Sequence, residues 1–255
     1  AGFLHLPMKP GYDISKECRW VSVLNLKGKT KEEIFKEFSY QTRQDIRTYE
    51  KYCVKTRVLN EDQLDVLDEM EKETSERQDF EAMSLDFYKD LYHFYGKSHI
   101  ETVLSYLDLD AYAIKMQSEF DKTSKDIEKT KTFLEQNPGN VKKEKRLKTD
   151  EEYYNSLQKK LSHIEELKQE YGKEIPLACC LFVKYGHQIV YLVGSSNYEH
   201  RVFRGPYAIQ WKMIQEAIDE GYDLYNFYGI SGYFNKGEEG FGGFDYKRGY
   251  NAVVR

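Results

Sequence analysis

Near the end of the chain, "YNFYGISGYFNKGEEGFGGFDYKRGYNAVVR", residues 225–255, sets Lys247 among glycines and aromatic rings. Seven of the seventeen glycines fall between positions 229 and 249, and each frees the backbone for left-handed dihedrals or for close approach to a ligand. Such a stretch is not one regular element, and it predicts a shaped surface rather than a packed core. Lys247 is there either a cation aimed at a ligand or a solvated loop lysine. Tyr228, in "NFYGI", stands at the carboxyl end of a predicted strand, where α/β sheets bind ligands; its other reading is an aromatic of the core. Arg201 and Arg204 precede Pro206, and main-chain donors of a helix start together with guanidinium groups favour phosphate, although pairing with surface acids is as natural. Tyr207 and Trp211 lie one helical turn apart and either stack on a nucleotide or sugar or fill a core. "VKKEKRLK", residues 141–148, puts Lys142, Lys143, Lys145, Arg146 and Lys148 against one acid, a run that holds a phosphate backbone or is simply solvated. Arg43 and Arg47, four apart on one predicted helix face, are equally open.

Several chemistries find no support. The six histidines (His5, His93, His99, His163, His187, His200) form no HxxxH pair and have no accompanying cysteine or carboxylate cluster, so no metal centre is expected. No GxSxG nucleophile motif occurs. Cys18, Cys53, Cys179 and Cys180 show no CxxC spacing and are expected to be reduced thiols, with Cys179 and Cys180 on opposite faces of a strand. A net charge of −5 over 255 residues argues against a general nucleic-acid coat and confines any RNA contact to a patch. The longest apolar run, "IPLACCLFV", is about half of what a membrane helix needs. The opening "AGFLHLPMKPGY" lacks the layout of a signal peptide and does not begin with Met, so it reads as the middle of a longer protein.

The elements that must position these residues follow from periodicity. "WVSVLNLKG" predicts a first strand ending at Gly28, followed by helices with Ile34, Phe35, Phe38, Ile46 and Tyr49 at near-helical spacing. A further helix is predicted over residues 61–73, with Leu64, Leu67 and Met70 on one face, and another with Phe87, Leu91 and Phe94. Strands are predicted near residues 100–104 and 111–114. From 113 to 134 the series Ala113, Met116, Phe120, Thr123, Ile127, Thr130, Leu134 steps by three and four, as a heptad seam does. "NPGN" breaks it, and Tyr154, Leu157, Leu161 and Ile164 resume it in a second helix to about position 171. Residues 113–173 therefore read as an antiparallel helical hairpin, a coiled-coil arm interrupting the fold. Beyond it come two strands joined at Tyr185-Gly186-His187, a helix with Pro206 in its first turn and Gly221 as its stop, and a strand carrying "LYNFYG". The pattern is a mixed α/β sheet with an inserted arm.

"SSNYEHRVFRGPYAIQWKMIQEAIDEGYDLYNFYGISG" followed by "FDYKRGYNA" closely resembles the Fem/MurM-type (FemABX) peptidoglycan aminoacyltransferases, with their S-N…YAxQWxMI block, Y-[ND]-F-x-G strand and FKxGF-like closing motif. The hairpin and "GFLHLPMKPGYD" match their arm and the joint after their first subdomain. The resemblance spans essentially the whole chain. It implies two acetyltransferase-like (GNAT) subdomains, with residues 1–28 as the remnant of the first and the joint, most of that subdomain missing before Ala1, 29–112 and 174–255 as the two parts of the second, and the usual C-terminal return strand missing after Arg255. It implies transfer of an amino acid from aminoacyl-tRNA to the stem-peptide amine of a lipid-linked peptidoglycan precursor in the cytoplasm, at the inner membrane face, with homo- or hetero-oligomers of related transferases among the partners it suggests. No cofactor is implied, because the tRNA ester is already activated. Lys247 takes the place of the closing motif's lysine, the alignment resting on Lys247, Gly249 and Tyr250, with Asp245 and Tyr246 between Phe244 and Lys247. Its implied role is to stabilise the oxyanion; Tyr228, Arg201, Arg204, Tyr207, Trp211 and Gly249 become substrate-binding candidates, and the basic run at 142–148 a tRNA contact. An acetyl-CoA-dependent acetyltransferase is the alternative enzyme, for which "RVFRGPY" supplies no pyrophosphate loop. A non-catalytic RNA- or protein-binding module is the other alternative.

Overall fold

A computed structural model describes residues 10–11, 18–238 and 240–255, so the stretch "GFLHLPMKPGYD", apart from Pro10 and Gly11, lies outside the described residues. The chain divides into two compact units, one of residues 1–105 with 176–255 and the other Tyr106–Ile175.

The first unit is built on a seven-stranded sheet in the order β2-β3-β4-β5-β6-β1-β7. Its strands are β1 (Trp20–Asn25), β2 (Val54–Leu59), β3 (Ile100–Asp108), β4 (Glu174–Tyr185), β5 (Gln188–Ser196), β6 (Leu224–Ile230) and the short β7 (Val253–Val254). Helices α1 (Lys31–Glu37), α2 (Tyr40–Lys51), α3 (Asp65–Gln78), α4 (Leu85–Tyr95), α7 (Gly205–Asp219) and α8 (Phe241–Gly249) belong to the same unit. Their starts are written in the sequence. Thr30 and Glu33 form a reciprocal capping box on α1, and Ser39 and Ser84 cap α2 and α4, satisfying main-chain donors that a helix start leaves open. Two apolar clusters fill the unit. One joins Leu24, Phe38, Ile46, Phe182, Ile209, Ile214 and Phe227; the other joins Leu59, Leu67, Met70, Tyr88, Tyr92 and Leu181. Cys180 belongs to the first and Cys179 to the second, as strand alternation requires. No cysteine forms a disulfide.

The sheet opens between β5 and β6. Strands β5 and β6 are parallel and pair through Gln188–Leu224, Ile189–Tyr225 and Val190–Asn226. Past these pairs β5 stays bonded to β4 as far as Ser196, and β6 stays bonded to β1 as far as Ile230. The two strands therefore diverge toward their carboxyl ends, leaving a crevice of the kind in which open sheets take ligands.

The second unit holds α5 (Leu109–Gln136) and α6 (Val141–Tyr171), capped by Asp108 and Asn140. Met116, Ile127, Thr130, Leu157, Ile164 and Leu167 are buried between them. Phe120 stacks on Tyr154 at 4.3 Å, and Lys131–Glu151 and Lys168–Asp110 pair across the helices, so the two run antiparallel.

Three expectations are corrected. Residues 111–114 are helix, not strand, because the Asp108 side chain accepts the Ala111 N–H at 2.8 Å and starts α5 there. On α4 the buried residues are Tyr88 and Tyr92, while Phe87 and Phe94 are exposed; all five apolar positions fit a helix, and packing into the cluster with Leu59, Leu67, Ile100 and Leu181 selects the pair. The closing stretch contributes to the core after all, with Tyr225, Phe227, Ile230 and Tyr250 at most 2% exposed.

Gly205, at the start of α7, is where the helix meets the sheet. A Cβ there would sit 2.5 Å from Leu177 Cβ and 2.8 Å from Ser105 Oγ. Gly205→Ala is therefore expected to cost about 1–3 kcal/mol by overpacking, read as a lowered urea midpoint with an unchanged slope.

Candidate functional site

Strand β6 breaks its regularity at Tyr228, whose φ of 62° is left-handed, a conformation unfavourable for a bulky side chain. Opposite it the β1–β6 register slips, with Val21 facing Gly229 and Val23 facing Asn226, so β6 carries one extra residue. Two ties hold the bulge. The Asn226 side-chain oxygen accepts the Tyr228 N–H at 2.8 Å, and the Asn226 amide donates to Gln188 Oε1 at 3.2 Å. Gly229 is fitted against Cys18, whose Sγ would lie 2.2 Å from any Cβ at that position.

Helix α8 brings Lys247 to this bulge. Its Nζ donates to the Gly229 carbonyl at 2.6 Å and approaches the Tyr228 carbonyl at 3.5 Å. Among the described residues no carboxylate pairs with it. Burial pushes the ammonium down to about 8, opposed only by the neighbouring Cys18. An amine in this state is still charged at neutral pH and, among the described residues, donates to neutral carbonyls, so its field is open to a developing anion.

Helix α8 and the residue after it also bring aromatic rings together. Tyr207 of α7 meets Tyr246 at 5.2 Å and Tyr250 at 6.0 Å, and Tyr250 packs on Phe227 at 5.1 Å. The Tyr225 hydroxyl donates to Gln210 Oε1 at 2.6 Å. Burial raises the phenols of Tyr191, Tyr225, Tyr246 and Tyr250 well above their ordinary value, and it pushes the Cys180 thiol, bonded to Tyr191, up to about 12. Gly249 is needed for packing: a Cβ would come within 2.5 Å of Thr42 Oγ1, and the Gly249 carbonyl accepts the Ser39 N–H at 2.8 Å.

The candidates thus fall into groups. Lys247 meets the main chain of Tyr228, while Tyr207 and Gly249 lie on the neighbouring helix contacts. Arg204, itself left-handed, forms an ion pair with buried Asp45 at 2.8 Å, though not as an aligned hydrogen bond; Asp45 also bonds Tyr207. Arg201 turns away and lies over the Tyr198 ring at 4.1 Å. Trp211 is not a stacking platform: it is 7% exposed and wedged against Phe35 and Phe38 at 5.4 and 5.5 Å. Arg43 bonds the carbonyls of Lys36 and Phe38, and Arg47 covers Phe35. At the start of α6, Lys142, Lys145 and Lys148 are exposed, Lys143 lies over Phe133 at 5.2 Å and Arg146 pairs with Asp150. Asn226 and Tyr246 went unmarked in the sequence, although the spacing of Tyr246 and Tyr250 by one helical turn signals a shared face. Phe244 belongs to another aromatic group, with Phe234 and Phe241.

Elsewhere a cleft of about 410 Å3 is lined by Lys184, Lys212, Glu101, Glu216 and Glu220, among others. Lys184 pairs there with Glu101, Glu216 and Glu220 at 2.7–3.1 Å, and Lys212 with Glu101 and Glu216. Burial works against the Glu216 carboxylate, but bonds from Lys184 and Lys212 prevail and hold it at about 2. These lysines are neutralised by carboxylates, whereas among the described residues none pairs with Lys247.

The chain has recognisable relatives. The chain is 33% identical over 253 residues to the aminoacyltransferase FemA of Staphylococcus epidermidis and 32% identical to that of Staphylococcus aureus, covering 99% of this chain and 60% of each relative. It thus spans about three fifths of the length of these curated relatives. The crystal structure of FemX superposes with a TM-score of 0.80 at 21% identity, over 96% of this chain and 62% of that one, a likeness of fold. Residues 1–255 match the FemAB family from end to end, and the chain belongs to that family.

Proposed function

We propose that the protein containing this chain transfers an amino acid from aminoacyl-tRNA to the stem-peptide amine of a lipid-linked peptidoglycan precursor. The observation that carries this reading is the Lys247 ammonium, partly buried, unpaired with any described carboxylate and held on main-chain carbonyls beside the crevice, in a chain related to aminoacyltransferases. The peptide amine attacks the ester carbonyl and a C–N bond forms. The C–O bond to the terminal ribose breaks, the nitrogen loses a proton and the ribose hydroxyl gains one. Lys247 faces the charge that builds on the carbonyl oxygen, and its worth is greatest where water is excluded. Arg204, Tyr207, Tyr228 and Gly249 shape the walls, and Arg201 offers a guanidinium to a phosphate nearby.

In this reading the mixed sheet is a GNAT-like subdomain and α5–α6 a coiled-coil arm, whose exposed Lys142, Lys145 and Lys148 meet the tRNA backbone. The enzyme acts in the cytoplasm at the membrane face, where the lipid-linked precursor resides; among the described residues no helix is long and apolar enough to cross a membrane. The activated ester makes ATP, acetyl-CoA and metal unnecessary, so the complete protein, given charged tRNA and precursor, should form product in the presence of a chelator.

Lys247→Met in the complete protein is expected to fold, to bind precursor and to lower kcat by roughly two to three powers of ten, the scale of losing one oxyanion donor. With the wild type, single-turnover rates at saturating precursor should fall as pH rises through about 8, where Lys247 loses its proton. Normal turnover by Lys247→Met would remove the lysine from the chemistry. Reversing charge at Lys142, Lys145 and Lys148 together should weaken tRNA binding at least tenfold at low salt and flatten its salt dependence, with the precursor's KM unmoved; unaltered tRNA affinity would rule out contact at that end of the hairpin.

A further inference from the structure

Lys247 reaches its carbonyls only because β6 departs from strand geometry, and that departure needs an agent. In a regular strand, successive carbonyls point to opposite sides, and one ammonium could not approach those of both Tyr228 and Gly229. The left-handed residue at Tyr228 turns them toward Lys247 Nζ, at 3.5 and 2.6 Å. Tyrosine has no intrinsic preference for that conformation, which Asn, Asp and Gly accept far more readily. The compensating contact is local. Asn226 sits two residues earlier, and its side-chain oxygen takes the Tyr228 N–H at 2.8 Å, as Asx turns do. Because the main-chain N–H can only donate, the atom facing it must be the Asn226 oxygen, which leaves the Asn226 NH2 to donate to Gln188 on β5 at 3.2 Å. Asn226 also belongs to the last β5–β6 pair, with Val190. It therefore ties the bulge to the neighbouring strand where the sheet begins to open.

We propose that Asn226 is a positioning residue for Lys247: its carboxamide clamps the left-handed turn at Tyr228, braced by Gln188, and so sets the two carbonyls that aim the Lys247 ammonium into the crevice. The inference rests on the reading of Lys247 as the group that meets the oxyanion, but its test does not depend on activity alone. Asn226 touches no reacting atom in this account and acts through the main chain and Lys247.

The test uses the complete protein and four variants. Asn226→Asp keeps an oxygen for the Tyr228 N–H; Asn226→Leu keeps the size and removes the acceptor; Gln188→Leu removes only the brace; Asn226→Leu with Tyr228→Gly supplies a residue that takes positive φ unaided. The first readout is the pH dependence of Lys247 acetylation by dilute acetic anhydride, quantified by peptide mass spectrometry. In the wild type the midpoint should lie near 8, in Asn226→Leu it should rise by a unit or more toward the ordinary lysine value, and in Gln188→Leu it should shift less in the same direction. The double variant should return toward 8. The second readout is transfer: Asn226→Leu should lose about tenfold or more in kcat with little change in KM, and Asn226→Asp should retain most of it. The proposal is overturned if folded Asn226→Leu labels like the wild type, or if the double variant keeps the midpoint of Asn226→Leu. Should Asn226→Leu not fold, Gln188→Leu decides, an unshifted midpoint there counting against the clamp. A shifted midpoint together with normal turnover by Lys247→Met would leave the clamp standing and sink the role of the lysine it serves.

Discussion

An ammonium withdrawn from water and set on peptide carbonyls, with no described carboxylate beside it, is the interaction on which the crevice depends. Burial of a charge without a counter-charge is unfavourable, and the fold registers this by pushing Lys247 down to about 8 from an ordinary 10.5. The sign is opposite to that of a lysine gaining a partner. The protein bears the full destabilisation below about pH 8, where the folded chain must hold the proton, and is relieved of it as pH rises from there toward 10.5. Lys184 supplies the contrast within the same molecule. Burial opposes its charge too, yet Glu216, Glu101 and Glu220 surround it and raise its pKa. One lysine holds helix α7 to β4 by ion pairs. The other is kept in a less stable state, without a described counter-charge.

Three elements share the work of keeping Lys247 there. Strand β6 provides the carbonyls, β1 accommodates its extra residue by a slip of register, and α8 delivers the side chain. Helix α8 is itself fixed from behind through Gly249, which lets it approach Ser39 and Thr42 at the start of α2. A side chain at 249 would separate the helices and carry Lys247 with them. The glycine's value is thus close approach, not freedom of dihedral, since its φ is not among the positive ones.

Much of this was legible in the sequence wherever a signal is periodic or local. The heptad steps from Met116 through Ile164 found the hairpin helices, and Pro206 and Gly221 marked the ends of α7. Where several faces of one helix are apolar, periodicity alone does not choose, so Phe87, Leu91 and Phe94 read as the inner face of α4 although Tyr88 and Tyr92 are buried. The four residues 111–114 were too few to tell strand from helix against a capping aspartate. Trp211 and Tyr207 share one helix and one turn, yet tertiary packing sends the first into the core and leaves the second among the phenols. Arg201 and Arg204 read as a pair, and a buried Asp45 more than 150 positions earlier separates them. The turn at Tyr228 was hidden because positive φ is read from glycine, and here the residue that permits it is the Asn226 side chain two positions away.

The tyrosines of the same unit meet burial differently. Tyr225 and Tyr250 are buried and Tyr191 and Tyr246 half-buried, and burial raises all four phenols well above their ordinary value, so they stay protonated and serve neither as bases nor as counter-charges. A leucine in their place would remove the polar ends that bond one another and Gln210. A phenol adapts to burial by keeping its proton and finding a neutral partner, whereas the Lys247 ammonium is charged in its ordinary state and gives up its proton only as pH rises past about 8. The aromatic bias of the closing stretch thus fills the core without adding a charge to it.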